Sequence, residues 1–439
     1  MPQDFAGVPE PTPGAGAILR FRRRAPLALR DVTAVAAAIF VVAAIVGLLV
    51  AADLRLSALS GQGGEFLSLW LGARAFLLAS SSPYSADIAA AAQRLAYGGA
   101  ALPGQNPLSV TLPFFLYPAF FPFVFVSSAV AARGIWLFLM QAALAATMMM
   151  SFSLADWRPP RTVIVLVAAG GVFAFYSVAA MLAGTPVILL ALLYVGILRA
   201  LQTDNDELAG LLLGLSFFKW QVGLLLVVLV LWRVFHEKRW GVLAGLIMTV
   251  VILAIASFLL YPTWLLPFLI STVGDIRSDY GLAAGQALNS LLPGSSLLAS
   301  RALAAVLSSL LIYEWWSSRH AGFRRFMWLC FLALAATPLL GFRTELASLV
   351  ALVPSMVLIT SAAANRSRSG AWVAVLLAIA VFGVPWLLLA RIHQLGNDVA
   401  AGLLFLFAPL ATILGLYWTR WWFTRSPRTW LDEVRAAGG

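Results

Sequence analysis

Residues 32–52 read VTAVAAAIFVVAAIVGLLVAA, an unbroken apolar run. At 1.5 Å per residue, a helix of about twenty residues covers the ~30 Å hydrocarbon core of a bilayer. The run exceeds the apolar core of a signal peptide, and comparable runs follow it, so it reads as a retained anchor. The rest of the chain has the same character. Of 439 residues, 62% are hydrophobic and 11% charged, and the mean hydropathy is +0.93. A soluble domain is roughly half apolar and a quarter charged, so most of this chain must face lipid or other apolar helices. No stretch shows the short-period alternation of a membrane barrel. Helices are then the element that satisfies its own backbone in lipid.

Further apolar runs lie at 112–130, 134–154, 162–182, 186–200, 208–232, 241–261, 299–315, 326–341, 346–361, 371–390 and 399–418, which makes about twelve expected spans. The expected fold class is an all-α polytopic membrane bundle. Residues 32–418 form its membrane-embedded body, between basic tails at 1–31 and 419–439. The formal charge is +11, but the cations collect at span ends and do not form a nucleic-acid surface. Arg20, Arg22, Arg23, Arg24 and Arg30 precede the first run, and Arg420, Arg425, Arg428 and Arg435 follow the last. With an even span count, Arg133, HEKRW at 236–240, RHAGFRR at 319–325 and NRSRS at 365–369 fall on the same side. The positive-inside rule makes that side cytoplasmic, with both termini there and the protein integral to the cytoplasmic membrane. Two long loops, 53–111 and 262–298, then face outward; their Gly, Pro and aromatic residues suit short helices around a cavity. The run 208–232 reads as one span or as two short helices meeting at FKWQ, around Lys219. The single cysteine, Cys330, excludes a disulfide within the chain.

The first outer loop carries the chemistry-bearing segment, GQGGEFLSLWLGARAFLLASSSPYS at 61–85. It sets Glu65 behind a glycine-rich break and ahead of an aromatic amphipathic run. That puts an acid at the membrane surface, where it can meet a lipid-borne substrate, and points to a membrane enzyme. Other chemistries lack their residues. There is no phosphate-cradling GxxxxGK[ST] loop, no HExxH and no GxSxG elbow, and the three histidines, His236, His320 and His393, are dispersed. No metal site and no cofactor are expected.

The 63–85 segment resembles the motif after the first span of glycosyltransferase family 87, polyprenyl-phosphate-sugar-dependent membrane enzymes of the GT-C class. LYPAFFPFVFV at 116–126 is similar to that family's Tyr-Pro-rich second span. AGLLLGLSFFKWQVGLLLVVLVLWRVFHEKRW at 209–240 resembles its Lys-Pro-Gln segment, and Asn289-Ser290 in GQALNSLLPG its Asn-Gln-Ser loop. The likeness runs over about 32–345. It departs where Glu65 stands for the usual Asp, Gly184-Thr185 for Gly-Gln and Trp220 for Pro, and a late Trp-x-x-His pattern is missing. It implies a GT-C-like bundle that moves a sugar, mannose in most members, from a polyprenyl phosphate to a lipid or glycan acceptor at the outer face.

Such a donor leaves as a phosphate ester and needs no proton from the enzyme. The reaction needs a base for the acceptor hydroxyl and cations for the phosphate. Glu65 is the expected base, against the bland reading of a solvated loop glutamate; Asp53 and Asp87 are the alternatives. Lys219 either meets the donor phosphate or pins helix packing, since a lysine at a span centre costs about 2.5–3.5 kcal/mol and must face the bundle interior or snorkel. Arg343 could grip the phosphate with its planar fork or pair locally with Glu345. Arg74 could reach the phosphate or snorkel at the interface. Gln286, Asn289 and Ser290 suit sugar hydroxyls as well as helix capping. Glu345 and Tyr84 join the expected sugar and acceptor contacts, while Trp70, Tyr84, Tyr117, Trp264 and Tyr280 suit an interfacial belt or sugar stacking. A transporter or flippase of lipid-linked sugars, and a non-catalytic relative, are the competing classes. A transporter should show paired half-spans with intramembrane charges, and Lys219 has no evident twin.

Overall fold

The computed structural model describes residues 47, 48, 50–55, 63–102, 104–277, 280–367, 369–391, 394 and 396–424. The expectations placed on residues 1–46, His393 and the tail beyond 424 lie outside the described residues, as does most of the first run. Among the described residues the chain is all-helical, with 81% helix and no strand. Eight helices are long and apolar enough to cross a membrane. A ninth span results if Arg161–Val172 and Phe175–Ala183, bent by 47° at their junction, count as one. The protein is therefore a multi-pass membrane protein.

Of the twelve expected runs, the first lies mostly outside the described residues, and two others fall short of a span for local reasons. Pro113, Pro118 and Pro122 break the 112–130 run into a 3-10 helix, Phe114–Phe120, and a short turn of α-helix, Phe121–Val124. Proline removes a donor and clashes with the preceding turn, so no long helix can form there. Val187–Gln202 has only 16 residues, about 24 Å of helix. The 208–232 run does count as one span-length stretch, Asp206–His236, but it is built of two helices, Asp206–Leu215 and Trp220–His236, joined by a 3-10 turn over Ser216–Lys219. The flanks of the bundle suit lipid: Trp240–Leu260 is strongly apolar and leaves Val250, Ile252, Ile255 and Leu259 exposed.

Both long loops contain short helices. Gly64–Ala79 and Ala86–Tyr97 lie in the first, and Leu265–Arg277 and Ala284–Leu291 in the second. The loops meet where the Ser271 hydroxyl donates to the Val110 carbonyl at 2.7 Å. Gly64–Ala79 is held by its aromatic face. Phe66 is fully buried, stacked on Trp136 at 5.2 Å and edge-on to Phe123 at 5.5 Å. The Trp70 indole donates to the Phe123 carbonyl at 2.9 Å, and the Trp136 indole to the Gly184 carbonyl at 3.2 Å.

Two glycines let the chain come this close. Gly63 caps the helix with φ 103°, and Gly184 has φ 73°. A Cβ on Gly184 would sit 2.9 Å from Phe66 Cβ and 3.1 Å from the Gly63 carbonyl oxygen. Gly184→Ala therefore combines a left-handed backbone with a steric clash, about 2 kcal/mol or more of destabilisation. Thermal melts of the detergent-purified protein should shift down by several degrees. An unshifted melt would mean that this contact does not hold the first-loop helix.

The two ends of the bundle differ in charge. His236 and His320 lie 5.5 Å apart, which brings the basic stretches 236–240 and 319–325 to one end. Nearby, Arg420 pairs with the buried Glu314 at 2.9 Å, and Arg325 at 3.6 Å. Lys219 is at the other end of the Trp220–His236 helix, whose 17 residues rise about 25 Å.

Candidate functional site

A cavity of about 760 Å³ opens where the two long loops meet the broken span. Glu65 enters it from the first turn of Gly64–Ala79, while its neighbour Phe66 faces the packed core. The helix N-terminus adds partial positive charge behind the carboxylate. Lys219 enters from the break between the two helices. Its own backbone is non-helical, φ −122° and ψ 68°, and the irregular turn lines the cavity instead of meeting lipid, as unpaired backbone in a membrane must.

Lys219 Nζ donates to both Glu65 oxygens, at 2.9 and 3.1 Å, to Thr185 Oγ1 at 3.3 Å and to Glu345 Oε1 at 3.4 Å. Asn106 Nδ2 donates to Glu65 Oε1 at a long 3.5 Å. Glu345 is placed by its backbone: Thr344 exchanges two bonds with Leu282, at 2.9 and 3.0 Å. This joins the turn after Phe323–Leu340 to the second loop. Arg343 is exposed at the rim, beside Phe342, whose ring meets Trp220 edge-on at 6.0 Å. Trp264, Phe217 and Phe268 give the cavity an aromatic and apolar wall.

Charge is unevenly held. Burial alone would raise the Glu65 carboxyl, but the Lys219 charge and hydrogen bonds from Glu345, Lys219 and Thr185 outweigh it and hold it below the usual range. Glu65 is thus ionised at neutral pH. Glu345 goes the other way: burial first, then the Glu65 charge, push it up to about 8 against the pull of Lys219. Burial also raises the Asp275 carboxyl and the Tyr280 phenol.

Of the residues singled out in the sequence, Glu65, Lys219, Arg343 and Glu345 line this cavity together, with Trp264 and Tyr280. The others do not line it. Arg74, a candidate for a phosphate or for the interface, donates its guanidinium to the Val124 and Val126 carbonyls at 3.1 and 3.3 Å and lies 5.0 Å over Trp70. It ties Gly64–Ala79 to the proline-broken segment. Tyr84 donates to the Leu112 carbonyl at 2.9 Å and packs on Tyr117 and Phe268. Gln286 accepts from the Ala283 N–H at 3.1 Å, Asn289 from the Ser296 hydroxyl at 3.0 Å, and Ser290 donates to the Ala287 carbonyl at 2.8 Å. These three serve the helix Ala284–Leu291 and its flanks. Trp70 and Tyr117 are buried in the aromatic cluster. Asp53 accepts from Gln141 at 2.8 Å, and Asp87 is exposed; neither lines the cavity.

Sequence reading missed Asp275 and Asn106, and treated Thr185 only as a departure from a pattern. The signal for Asp275 was an acid inside the second long loop, in GDIRSDYG at 274–281. Among the described residues, no three His, Cys, Asp or Glu side chains converge as metal ligands. The chain matches no model of a known protein family and none of the curated proteins it was compared with. Fold and site define a helical multi-pass membrane protein with an ion-paired carboxylate in a cavity at one end.

Removing Lys219 strands Glu65. Lys219→Met should cost about 2–3 kcal/mol, somewhat below the ~3–5 of a fully dry pair because the cavity is open to water. The double variant Glu65→Gln with Lys219→Met should recover most of that loss, since it removes the charge left behind. Denaturation midpoints of the four proteins test this. Strictly additive losses would show that the pair is not coupled.

Proposed function

We propose that this protein is an inverting glycosyltransferase of the GT-C type, similar to family 87. It moves a sugar, with mannose the expected one, from a polyprenyl phosphate to a lipid or glycan acceptor at the outer face of the cytoplasmic membrane. The observation that carries this reading is Glu65: an ionised, largely buried carboxylate at a helix N-terminus, oriented by Lys219 inside a cavity of about 760 Å³.

In this reading Glu65 accepts the proton of the acceptor hydroxyl as its oxygen attacks the anomeric carbon from the face opposite the phosphate. The carbon–oxygen bond to the phosphate breaks, and the lipid phosphate departs as an anion without needing an acid. Arg343 and Lys219 are the cations on hand for the developing charge, and in a cavity poor in water each such contact counts for more. The apolar wall of Trp264, Phe217 and Phe268 suits the first isoprenoid units. Sidedness follows from charge: the cavity lies at the end opposite the basic stretches 236–240 and 319–325, which the positive-inside rule assigns to the cytoplasm.

Glu65→Gln keeps the shape and removes the basicity. Turnover of polyprenyl-phosphomannose by the purified variant should fall about 10²–10⁴-fold while its melting curve stays cooperative. Near-normal turnover would exclude Glu65 as the base. Arg343→Ala should raise the KM for the donor and lower kcat, and Arg343→Lys should rescue only part, because an ammonium cannot hold two phosphate oxygens in one plane. Full rescue by lysine would reduce Arg343 to a general positive charge at the rim.

A further inference from the structure

Two carboxylic acids share one lysine at the base of the cavity. Lys219 Nζ lies 2.9 Å from Glu65 Oε1 and 3.4 Å from Glu345 Oε1. Both carboxyl groups crowd one ammonium, whose single charge offsets only one carboxylate. If both were ionised, the second would be left uncompensated in a largely buried site, and a proton on one of them removes that cost. Glu345 Oε2 is buried and accepts from no N–H or hydroxyl donor, so that oxygen is where the proton belongs. Asp275 lines the same cavity as a third acid, and Arg343 stands at the rim. If Glu65 and Glu345 were both ionised, one ammonium would face two carboxylates, and the base of the cavity would be negative. A lipid phosphodiester carries a negative charge of its own and would have to enter against that field.

We propose that Glu345 is the protonated partner of Glu65, and that the single proton held by this pair is what admits an anionic lipid donor to the cavity. The inference rests on the lipid-phosphate reading above and adds to it a condition on donor entry. Glu345 acts here as a positioning residue: neutral, it leaves Lys219 available to Glu65 and to the incoming phosphate; ionised, it competes for Lys219 and repels the donor.

The sign of the pH effect follows. Burial, and next the Glu65 charge, push Glu345 up to about 8, so the proton is present at neutral pH and is lost as pH rises through that value. The other groups facing the pair behave differently. Tyr280 and Tyr97 are raised, chiefly by burial, and stay neutral through this range. A sugar phosphodiester keeps its one charge across the same range, so the donor itself adds no step. Asp275 is raised by burial and is the one further acid to be controlled for.

The test is equilibrium binding of polyprenyl-phosphomannose to the full-length protein in detergent, at about pH 7 and about pH 9. For the wild type, affinity tracks the fraction of protein with Glu345 protonated and should weaken about tenfold between the two. In Glu345→Gln the amide stays neutral at both pH values, so the ratio of affinities should be near one. Asp275→Asn should keep the wild-type ratio. An equal fall in Glu345→Gln and wild type, or loss of the fall in Asp275→Asn alone, would overturn the proposal. Infrared spectroscopy gives a readout that needs no donor: a protonated-carboxyl band present at about pH 7, absent at about pH 9 and absent in Glu345→Gln. Without that band the proton is not on Glu345. If the band behaves as expected but no donor binds at either pH, the lipid-donor reading fails, and with it the role given to the proton.

Discussion

A lysine in the middle of an apolar span is the constraint around which the rest is arranged. On an unbroken helix facing lipid, Lys219 would cost about 2.5–3.5 kcal/mol. The chain removes that cost by ending one helix at Leu215 and starting the next at Trp220, with Lys219 in the turn between. The turn exposes backbone that only a cavity can accommodate, and the ammonium requires a counter-charge and acceptors within reach. Glu65 supplies the charge and Glu345 a further acceptor oxygen, from segments that lie on either side of the span in the chain.

Those carboxyl groups must be held firmly, because a charge pair in a low-dielectric site gains only where its geometry is good. Rigidity comes from packing behind the carboxylates. Phe66, Trp70 and Trp136 lock the helix that begins at Glu65, and left-handed Gly63 and Gly184 let its first turn approach the bundle. Arg74 contributes by reaching back to two carbonyls of the proline-broken segment. The Leu282–Thr344 backbone pair does the same for Glu345. Apolar contacts and backbone hydrogen bonds thus set the position of a site whose chemistry is ionic.

The two ends of the bundle divide the charge between them. At one, cations dominate and the buried Glu314 is neutralised by Arg420 and Arg325. At the other, acids gather around Lys219 and Arg343. An ionised carboxylate, a second acid of raised pKa and an aromatic wall meet there, and the proposed deprotonation of a hydroxyl beside an anionic leaving group rests on that meeting. Two like groups whose environments push their proton affinities apart are a recurring basis for dividing acid and base roles.

Much of this was open to sequence reading, and the boundary is physical. Hydropathy and helical length are local properties, so the apolar runs and the break around FKWQ follow from the residues alone. So does the prominence of Glu65, because a glycine-rich approach before an aromatic helix is itself local. The prolines at 113, 118 and 122 are equally local and rule out a long helix there, so the apolar character of 112–130 does not make it a span. The side of Arg133 does not follow in this way, since its guanidinium packs against Gly63 beside Glu65 and away from the basic stretches 236–240 and 319–325. What sequence does not contain is distance between remote positions. Lys219 meets Glu65 across 154 residues and Glu345 across 126, and nothing in either segment specifies the other. Arg74, Asn289 and Ser290 carry the right groups for a substrate, yet tertiary contacts occupy them with carbonyls and hydroxyls of the protein. Asp275 is an unremarkable loop acid until packing turns its helix toward Lys219. The sequence by itself determined which segments can live in a membrane and which residues can do chemistry. Only the tertiary structure decided which of them share a cavity, because a charge pair is selected by separation and burial in space, and chain order sets neither.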